Sequence, residues 1–358
     1  MISYLLNKTF YALLTLFGVV TVIFFLFNVL PGDPAQMMLG QNEDSEQLAI
    51  VKKKYGFDKP IATQYLYYLN DLSLVSFHSN NEDDYTFLKN DKYSEVSLFT
   101  IGNTITVLKL PYLRESFTKQ GKKVSSVLRE TIPNTFVLAV SAILIALLLG
   151  ISLGVVSALK KDSFIDKSIQ ILSTIGMSVP SFFSAILFAW LFGFVLHEYT
   201  NLEMTGSLYE LDDFGEKVNI KWKNLILPAI VLGIRPLAVV IQLMRNSLLE
   251  VFNQDYIRTA RAKGLSEFQI IKKHAIKNAL NPVVTAISGW FASMLAGAVF
   301  VEYIFGWNGL GKEIVNALNT LDLPVIMGSV LIIALLFIII NIFVDIIYTW
   351  LDPKVKLE

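Results

Sequence analysis

The chain has 358 residues, 54% of them hydrophobic, and its 30 basic and 30 acidic side chains give a formal net charge of zero. A neutral chain offers no global field to attract nucleic acid, and the absence of cysteine excludes disulfides, thiolate metal sites and cysteine nucleophiles. Since average soluble domains are less apolar than this chain, runs of about 20 apolar residues are interpreted as membrane spans.

A near-continuous apolar run, Phe10–Leu30, is long enough to cross a bilayer. It stops at Pro31-Gly32-Asp33-Pro34, which does not continue a helix. A cleaved signal peptide is the alternative, but its apolar core would be shorter and a small-x-small cleavage site would follow. The sequence therefore predicts an uncleaved first transmembrane helix within residues 1–30.

Residues 31–134 form a long, mostly polar segment after this first span. The spacing of its apolar residues predicts a short amphipathic helix near residues 48–55 and a second helix from Asp58 to about Leu72. Further along the segment, two apolar runs flank Gly102-Asn103 and predict a β-hairpin. These runs are Val96–Ile101 and Thr104–Leu110.

Five further apolar runs are long enough to cross a membrane. They are Thr135–Leu159, Ile169–Leu196, Leu225–Met244, Val283–Val301 and Val325–Trp350. The second span contains Gly150 and Gly154, a spacing that lets membrane helices pack closely. Pro180 is expected to kink the third span.

The fourth span, Leu225–Met244, is expected to be broken, because it contains Pro228, Gly233 and Pro236. The fold class predicted is an all-α integral membrane protein with six transmembrane helices and a long extracytoplasmic loop between helices 1 and 2. Residues 135–350 would form the membrane core.

The short loops set the orientation. Lysines follow the second span at Lys160 and Lys161, and the loop 245–281 after the fourth span is strongly basic. Since positive short loops stay inside, both termini, this loop and the tail at 351–358 are predicted to be cytoplasmic.

The longest basic segment between two apolar runs is Asn253–Pro282. It predicts a helix over Asp255–Lys263, ended by Gly264 at a position that favours positive φ. Ser266 then begins a capping-box pattern and a second helix. Two interpretations stay open from the residues alone: a basic connector, or an element on which a partner docks.

A phosphate-loop pattern is nearly matched by Gly306-Trp307-Asn308-Gly309-Leu310-Gly311-Lys312. Glu313 stands where Ser or Thr would hold magnesium, and the pattern follows a membrane helix instead of a strand. A nucleotide site is therefore not expected here, and a glycine-rich turn is.

Ionisable residues inside spans are functional candidates, because burying them in lipid is costly. Arg235 is a candidate for a polar path or for a bond to a neighbouring carbonyl, while Asn341 and Asp345 either pair with another helix or reach the interface. Glu302 and Arg245 are expected to mark interfaces at span ends.

No pattern of a membrane enzyme is present, and an ion-coupled secondary transporter would be expected to show midplane carboxylates or matching broken helices. A transporter with neither should take its energy from a partner, and the basic loop is the feature suited to that.

At this loop the sequence resembles the permease subunits of binding-protein-dependent ABC importers, in particular the first of the two paired dipeptide, oligopeptide and nickel permeases. The general loop signature of that family is Glu-Ala-Ala, three residues and then Gly, and these positions hold Arg258, Thr259, Ala260 and Gly264 here. The Ile-x-Leu-Pro that ends the general motif is not found at its expected spacing. Other matching motifs are Pro31-Gly32-Asp33-Pro34, Tyr55–Pro60, Ile132–Thr135, Ser178–Phe182, Arg245–Glu250, Glu302–Gly306, Gly309–Gly311 and Asp352-Pro353. Residues 76–111 look like an insertion.

The resemblance implies a type I importer with an external binding protein, two permeases and two cytoplasmic ATPases that use ATP, while this chain binds no cofactor. It implies that the loop docks on an ATPase, with Ala260 and Gly264 small to allow close approach. The remaining residues of this coupling site are Asp255, Tyr256, Arg258, Thr259, Arg261 and Lys263. The implied substrate is a di- or oligopeptide, with nickel or another small solute as the alternative.

Overall fold

A computed structural model describes residues 2–29, 35–36, 45–82, 84–88, 93, 95–119, 121–212 and 217–351. The predicted stop at Pro31-Gly32-Asp33-Pro34 and the match at Asp352-Pro353 lie outside the described residues. The chain forms two compact units. The first comprises residues 1–9, 131–313 and 335–358, and the second comprises residues 10–130 and 314–334.

Long apolar helices dominate the chain, because stretches rich in Leu, Ile, Val, Phe and Ala satisfy every backbone group internally and expose only apolar side chains. Four of the described helices are long and apolar enough to cross a membrane. They are α1 (Ile2–Val29), α4 (Val124–Leu159), α8 (Lys223–Val251) and α15 (Leu323–Leu351).

The third predicted span is a bent pair of helices. Helix α5 (Phe164–Ser178) and helix α6 (Ser181–Trp190) meet at Val179-Pro180, and the bend between them is 108°. Proline disfavours helical backbone at the residue before it, which explains the position of the break. The pair counts as a fifth candidate span.

The expectation that the fourth span is broken was wrong, since α8 is continuous from Lys223 to Val251. Pro228 and Pro236 lie buried within it, and the fixed φ of proline is compatible with helix even though one hydrogen bond is lost. Gly233 marks a close approach, because a Cβ there would lie 2.8 Å from the carbonyl oxygen of Ala142.

Helices α4 and α8 are in close contact through two glycines. A Cβ at Gly150 would lie 2.6 Å from a Val240 methyl group, and a Cβ at Gly154 would lie 2.7 Å from Met244. Such distances leave no room for a side chain, so the glycine spacing of the second span marks a packing interface between these helices.

The predicted fifth span is divided in two, and the six-span count stays a prediction. Helix α12 (Asn281–Gly297) and helix α13 (Val299–Phe305) meet at Ala298. The remaining elements of this unit are a π-helix at Leu191–Val195, helix α7 (His197–Thr200), and strands β4 (Tyr209–Leu211) and β5 (Val218–Ile220), which pair antiparallel.

The second unit holds the predicted short helices and the predicted hairpin. Its elements are α2 (Ser45–Tyr55), α3 (Ile61–Leu72), β1 (Val75–Ser79), β2 (Glu95–Ile101), β3 (Thr104–Lys109) and α14 (Leu310–Asn319), of which α14 begins in the first unit. Strands β2 and β3 form the hairpin, and β1 adds to β3 to give an antiparallel sheet in the order β1-β3-β2. Both the helices and the hairpin are confirmed; the insertion at 76–111 stays a prediction.

A buried polar cluster holds this unit together. The Nε of Arg114 donates to Asp71 Oδ2 at 2.9 Å, and the hydroxyls of Tyr85 and Tyr93 donate to the same carboxylate. The guanidinium of Arg114 also lies over the ring of Tyr68, and burial raises the pKa of that phenol to about 12. A buried carboxylate needs several hydrogen-bond donors. Arg114, Tyr85 and Tyr93 supply them, and Tyr68 packs against the guanidinium of Arg114.

Candidate functional site

The basic loop after α8 begins with a short helix, α9 (Asp255–Ala262), as predicted. It ends where Gly264 takes a φ of +79°, and the Gly264 amide donates to the carbonyl of Arg261 at 2.9 Å. Glycine is favoured at this position because a Cβ in left-handed backbone costs about 1 kcal/mol.

The second helix of the loop begins with the predicted capping box. The Ser266 hydroxyl accepts from the Gln269 amide, and the Gln269 side chain accepts from the Ser266 amide at 3.2 Å. The helix continues as α10 (Glu267–Ile270), a π-helical turn at Ile271–Ala275 and α11 (Ile276–Ala279). The loop is therefore two ordered helices joined at one glycine.

The inner face of the loop belongs to the apolar core of the first unit. Ile257, Ile270, Ala275 and Ala279 are fully buried there, together with residues of α8. Ala260 is only 6% exposed and lies in the same core. Its small size therefore serves packing within this chain, which corrects the expectation that it is small for the approach of a partner.

The outer face of the loop carries the other predicted site residues. Seven of the eight are exposed, and they are Asp255, Tyr256, Arg258, Thr259, Arg261, Lys263 and Gly264. A Cβ at Gly264 would meet none of the described residues within 4 Å, so the described part of the chain leaves the space beside the glycine open.

Electrostatically, this face is basic with local pairing. Arg258 lies 3.5 Å from Asp255, but the side chains are 72% and 95% exposed, so solvent screens the pair. Arg261 Nε donates to Glu267 Oε1 at 2.8 Å, and this hydrogen bond raises the pKa of Arg261. Among the described residues no acidic, His or Cys cluster could hold a metal ion.

A buried ion pair joins the end of α8 to the start of α5. Arg245 donates from Nε to Asp166 Oδ1 at 2.8 Å and from Nη2 to Oδ2 at 2.7 Å. Asp166 also accepts from the Ser157 hydroxyl and from the Asp162 amide. Arg245 thus binds within its own chain, and sequence reasoning missed its partner, 79 residues away; its position at a membrane interface stays a prediction.

The three polar candidates inside spans have different surroundings. Asn341 donates to the Phe337 carbonyl of its own helix at 2.8 Å, and among the described residues it has no partner on another helix. Asp345 pairs with Lys8 of α1 at 2.6 Å. Arg235 is exposed, and it has no hydrogen-bond or ion-pair partner among the residues that the structure describes.

The glycine-rich turn at 306–312 encloses a carboxylate of its own chain. Glu302 is fully buried, and its Oε2 accepts from the amides of Gly311 at 2.6 Å and Lys312 at 3.3 Å. Lys312 Nζ donates to the Gly306 carbonyl at 3.0 Å. The amides and the lysine that would hold a phosphate are thus occupied by groups of this chain. The position of Glu302 at a membrane interface stays a prediction.

The same turn is bonded to the start of the second predicted span. The Trp307 indole donates to the Asn134 carbonyl at 3.0 Å, and the Leu310 amide donates to the Thr135 hydroxyl at 2.8 Å. The bonded residues are 173 and 175 positions apart in the chain, so two distant motifs form one structure.

Comparison with protein families gives two matches. Residues 150–357 match the model described as binding-protein-dependent transport system inner membrane component, and residues 1–83 match the N-terminal model of such membrane components.

Similar proteins match along nearly the whole chain. Identity is 31% to the dipeptide transport system permease protein DppB of Alkalihalophilus pseudofirmus, over 99% of this chain and 100% of that protein. It is 31% to DppB of Bacillus subtilis, over 100% and 99%. It is 32% to the di/tripeptide transport system permease protein DppB of Pseudomonas aeruginosa, over 99% of each.

Among solved structures, the fold is similar to a chain of the MetNI methionine ABC transporter in an inward-facing conformation. The TM-score is 0.50 at 16% identity, over 63% of this chain and 97% of that chain. At this identity the similarity concerns the fold alone.

Together with these matches, the apolar spans and the basic loop packed against their core make the chain a membrane permease subunit. The chain belongs to the family of inner membrane components of binding-protein-dependent transport systems, which confirms the predicted resemblance. It is a multi-pass protein of the inner membrane.

Proposed function

We propose that this permease imports di- or oligopeptides across the cytoplasmic membrane by alternating access, driven by ATP that partner subunits hydrolyse. The peptide substrate is supported by the three DppB relatives, whose names state dipeptide or di/tripeptide transport. The complex would contain two cytoplasmic ATPases, a second permease and an extracytoplasmic binding protein, with this chain binding no cofactor.

One observation carries the coupling role of the loop. Helix α9 buries Ile257 and Ala260 in the same core as α8, while Arg258 and Thr259 face outward. A partner that binds the outer face and moves would therefore push on a helix fixed to the spans, rather than on a loose connector. Such an arrangement transmits force without chemistry at the site.

The Arg245–Asp166 pair extends this connection. It joins the last turns of α8 to the first turn of α5, and Asp166 is only 3% exposed. Movement of the loop would therefore displace α8 and α5 together. We propose that this pair passes ATPase closure to the bent α5–α6 pair.

The proposed orientation places both termini and the loop in the cytoplasm. The support is the positive-inside pattern of the short loops, including exposed Lys160 and Lys161 between α4 and α5. The β1-β3-β2 sheet belongs to the long segment between the first and second spans, and in this orientation it would lie outside the membrane.

The sheet of the second unit offers a surface for an external partner. Its strands turn apolar side chains outward, such as Phe77, Phe99 and Ile101, while Ser76 and His78 are buried. Exposed apolar surface of this kind is typical of interaction sites. We propose that residues 76–111 contact the binding protein; the alternative is that they cap the outer mouth.

Cross-linking tests the docking proposal directly, since a chain without cysteine serves as its own labelling background. Single variants Arg258→Cys and Thr259→Cys would be labelled with a benzophenone maleimide in the assembled complex and irradiated. Both should form an adduct with the ATPase. Ile257→Cys, on the buried face of the same helix, should remain unlabelled, and Lys160→Cys tests a different basic loop. Adducts from Lys160 but not from Arg258 or Thr259 would refute docking at α9.

Transport in proteoliposomes tests the function itself. The full complex, with the binding protein and ATP, should accumulate a labelled dipeptide. Uptake that requires a proton gradient instead of ATP would favour an ion-coupled transporter, and uptake of nickel without peptide would favour the alternative substrate.

A further inference from the structure

A small cavity lies beside the break between α5 and α6. Its volume is about 70 Å³, and α8 and α12 form its other walls. Its polar lining comes from Ser181, Ser184, Arg235, Trp290 and Ser293. All of these residues belong to the first unit.

Arg235 stands near mid-depth in its helix. It lies 12 residues after Lys223, where the 29-residue helix α8 begins, so at 1.5 Å per residue it is about 18 Å from that end. The hydrocarbon core of a bilayer is about 30 Å thick. Neither end of the helix brings this guanidinium close to the membrane surface.

The charge of Arg235 needs a hydrogen-bonding or charged partner that the described residues do not supply. The residue is exposed, and within the described part of the chain it forms no ion pair or hydrogen bond. An arginine at this depth that faced lipid would be strongly disfavoured, so such residues line water-filled or protein-filled interiors. This face of α8 therefore lines the interior of the assembled permease.

The chemistry of the cavity selects an anion. Among the described lining residues Arg235 brings the one formal charge, and none of them is acidic. The hydroxyls of Ser181 and Ser184 and the indole of Trp290 add hydrogen-bond donors to this lining, whereas the Ser293 hydroxyl donates to the Trp290 carbonyl. A guanidinium with neutral donors around it is the arrangement that proteins use for carboxylates.

We propose that Arg235 binds the terminal carboxylate of a peptide in transit, a role that rests on the proposed import of peptides. Every peptide carries this group whatever its side chains, so one fixed cation serves a broad range of substrates. The cavity has room for a carboxylate rather than for a whole dipeptide, which leaves the rest of the peptide in the path. Partial exposure of Arg235 keeps the contact weak enough for release.

The test compares a labelled dipeptide with its C-terminal amide in proteoliposomes that contain the complete transporter. Concentrations are set so that the wild type takes up both peptides at equal rates. Because the same binding protein presents each peptide to every variant, its own preference cancels in the ratio. Arg235→Gln should lower uptake of the free acid about 10-fold or more and uptake of the amide less than about twofold. Arg235→Lys, which keeps the charge, should restore part of the free-acid rate.

Arg258→Gln is the matched control, since it removes the same charge from the exposed loop. It should lower the uptake of both peptides by the same factor. The proposal would be overturned if Arg235→Gln lowered the uptake of both peptides equally or lowered the uptake of neither. An equal loss of uptake for both peptides is what would be expected if Arg235 instead paired with an acidic residue of the second permease. A wild-type complex that carries neither peptide with ATP contradicts the proposed function itself, and the carboxylate site with it.

Discussion

Arg245 and Asp166 form a two-bond ion pair, with Nε and Nη2 of the guanidinium 2.8 and 2.7 Å from the two carboxylate oxygens. The pair is largely shielded from solvent, since the side chains are 18% and 3% exposed. It stands where α8 leads into the basic loop and where α5 begins. Its geometry therefore fixes two helices relative to each other at the end nearest the loop.

Asp166→Asn should destabilise the protein, because it leaves the guanidinium of Arg245 without its charged partner in a shielded place. We expect the free energy of unfolding to fall by about 3 kcal/mol. Arg245→Lys should lower the free energy of unfolding by less, since lysine keeps the positive charge and loses only the two-bond contact with the carboxylate. Denaturation of the purified protein in detergent measures both changes.

The control for this loss is Arg258→Ala on the exposed face of α9, which should change stability by less than about 0.5 kcal/mol. Equal stability of Asp166→Asn and the wild type would show that the pair does not hold the helices together.

Gly264 allows its two possible roles to be separated. Gly264→Asn should keep the turn, because asparagine tolerates left-handed backbone, whereas Gly264→Val should strain it at φ +79°. If the glycine is needed only for the turn, Asn keeps most peptide uptake and Val loses most of it. If a partner approaches closely, both variants lose uptake while remaining in the membrane, and this is the outcome we expect. Full uptake by both would refute any role in coupling.

Local patterns predicted much of this fold from sequence. The capping box at Ser266, the turn at Gly264 and the hairpin around Gly102 depend on residues within a few positions of one another, and the structure has all three. The long helices follow from composition alone. Such features are visible in sequence because the chemistry that causes them is local.

Contacts between distant residues could not be predicted in this way. No spacing rule joins Arg245 to Asp166, and a basic residue at a span end has many explanations before its partner is known. The inward position of Ala260 was equally hidden, since an alanine fits a core and an interface alike. The continuous α8 shows the same limit, because surrounding helices tolerate the prolines that sequence reasoning took as breaks.

Glu302 should tolerate amidation better than truncation. Glu302→Gln keeps an oxygen that can accept from the amides of Gly311 and Lys312, and among the described residues Oε1 has no donor to lose. Glu302→Ala leaves those amides unpaired in a buried place, at a cost of about 1–3 kcal/mol each. We expect the order of unfolding stability to be wild type, then Gln, then Ala.

Gly309→Ala tests the same enclosure from the other side, since a Cβ there would overlap the Glu302 carboxylate. Gly18→Ala is the matched control, because a Cβ at Gly18 meets nothing within 4 Å. Equal melting temperatures for the Gly309 and Gly18 variants would mean that the turn does not close on Glu302.

The outward apolar side chains of the β1-β3-β2 sheet should matter for function and little for folding. Phe99 and Ile101 are 54% and 72% exposed, so replacing both with serine removes almost no core packing. If the binding protein contacts this face, the double variant raises the concentration of loaded binding protein needed for half-maximal uptake, while unfolding stability stays within about 0.5 kcal/mol.

The control is Val107→Ala on the fully buried side of β3, which should lower the free energy of unfolding by about 2 kcal/mol and leave that concentration unchanged. Deleting residues 76–111 would not separate these effects, because the segment contributes Tyr93 to the buried cluster around Asp71. Unchanged dependence on the binding protein in the serine variant would assign this face to capping the outer mouth instead.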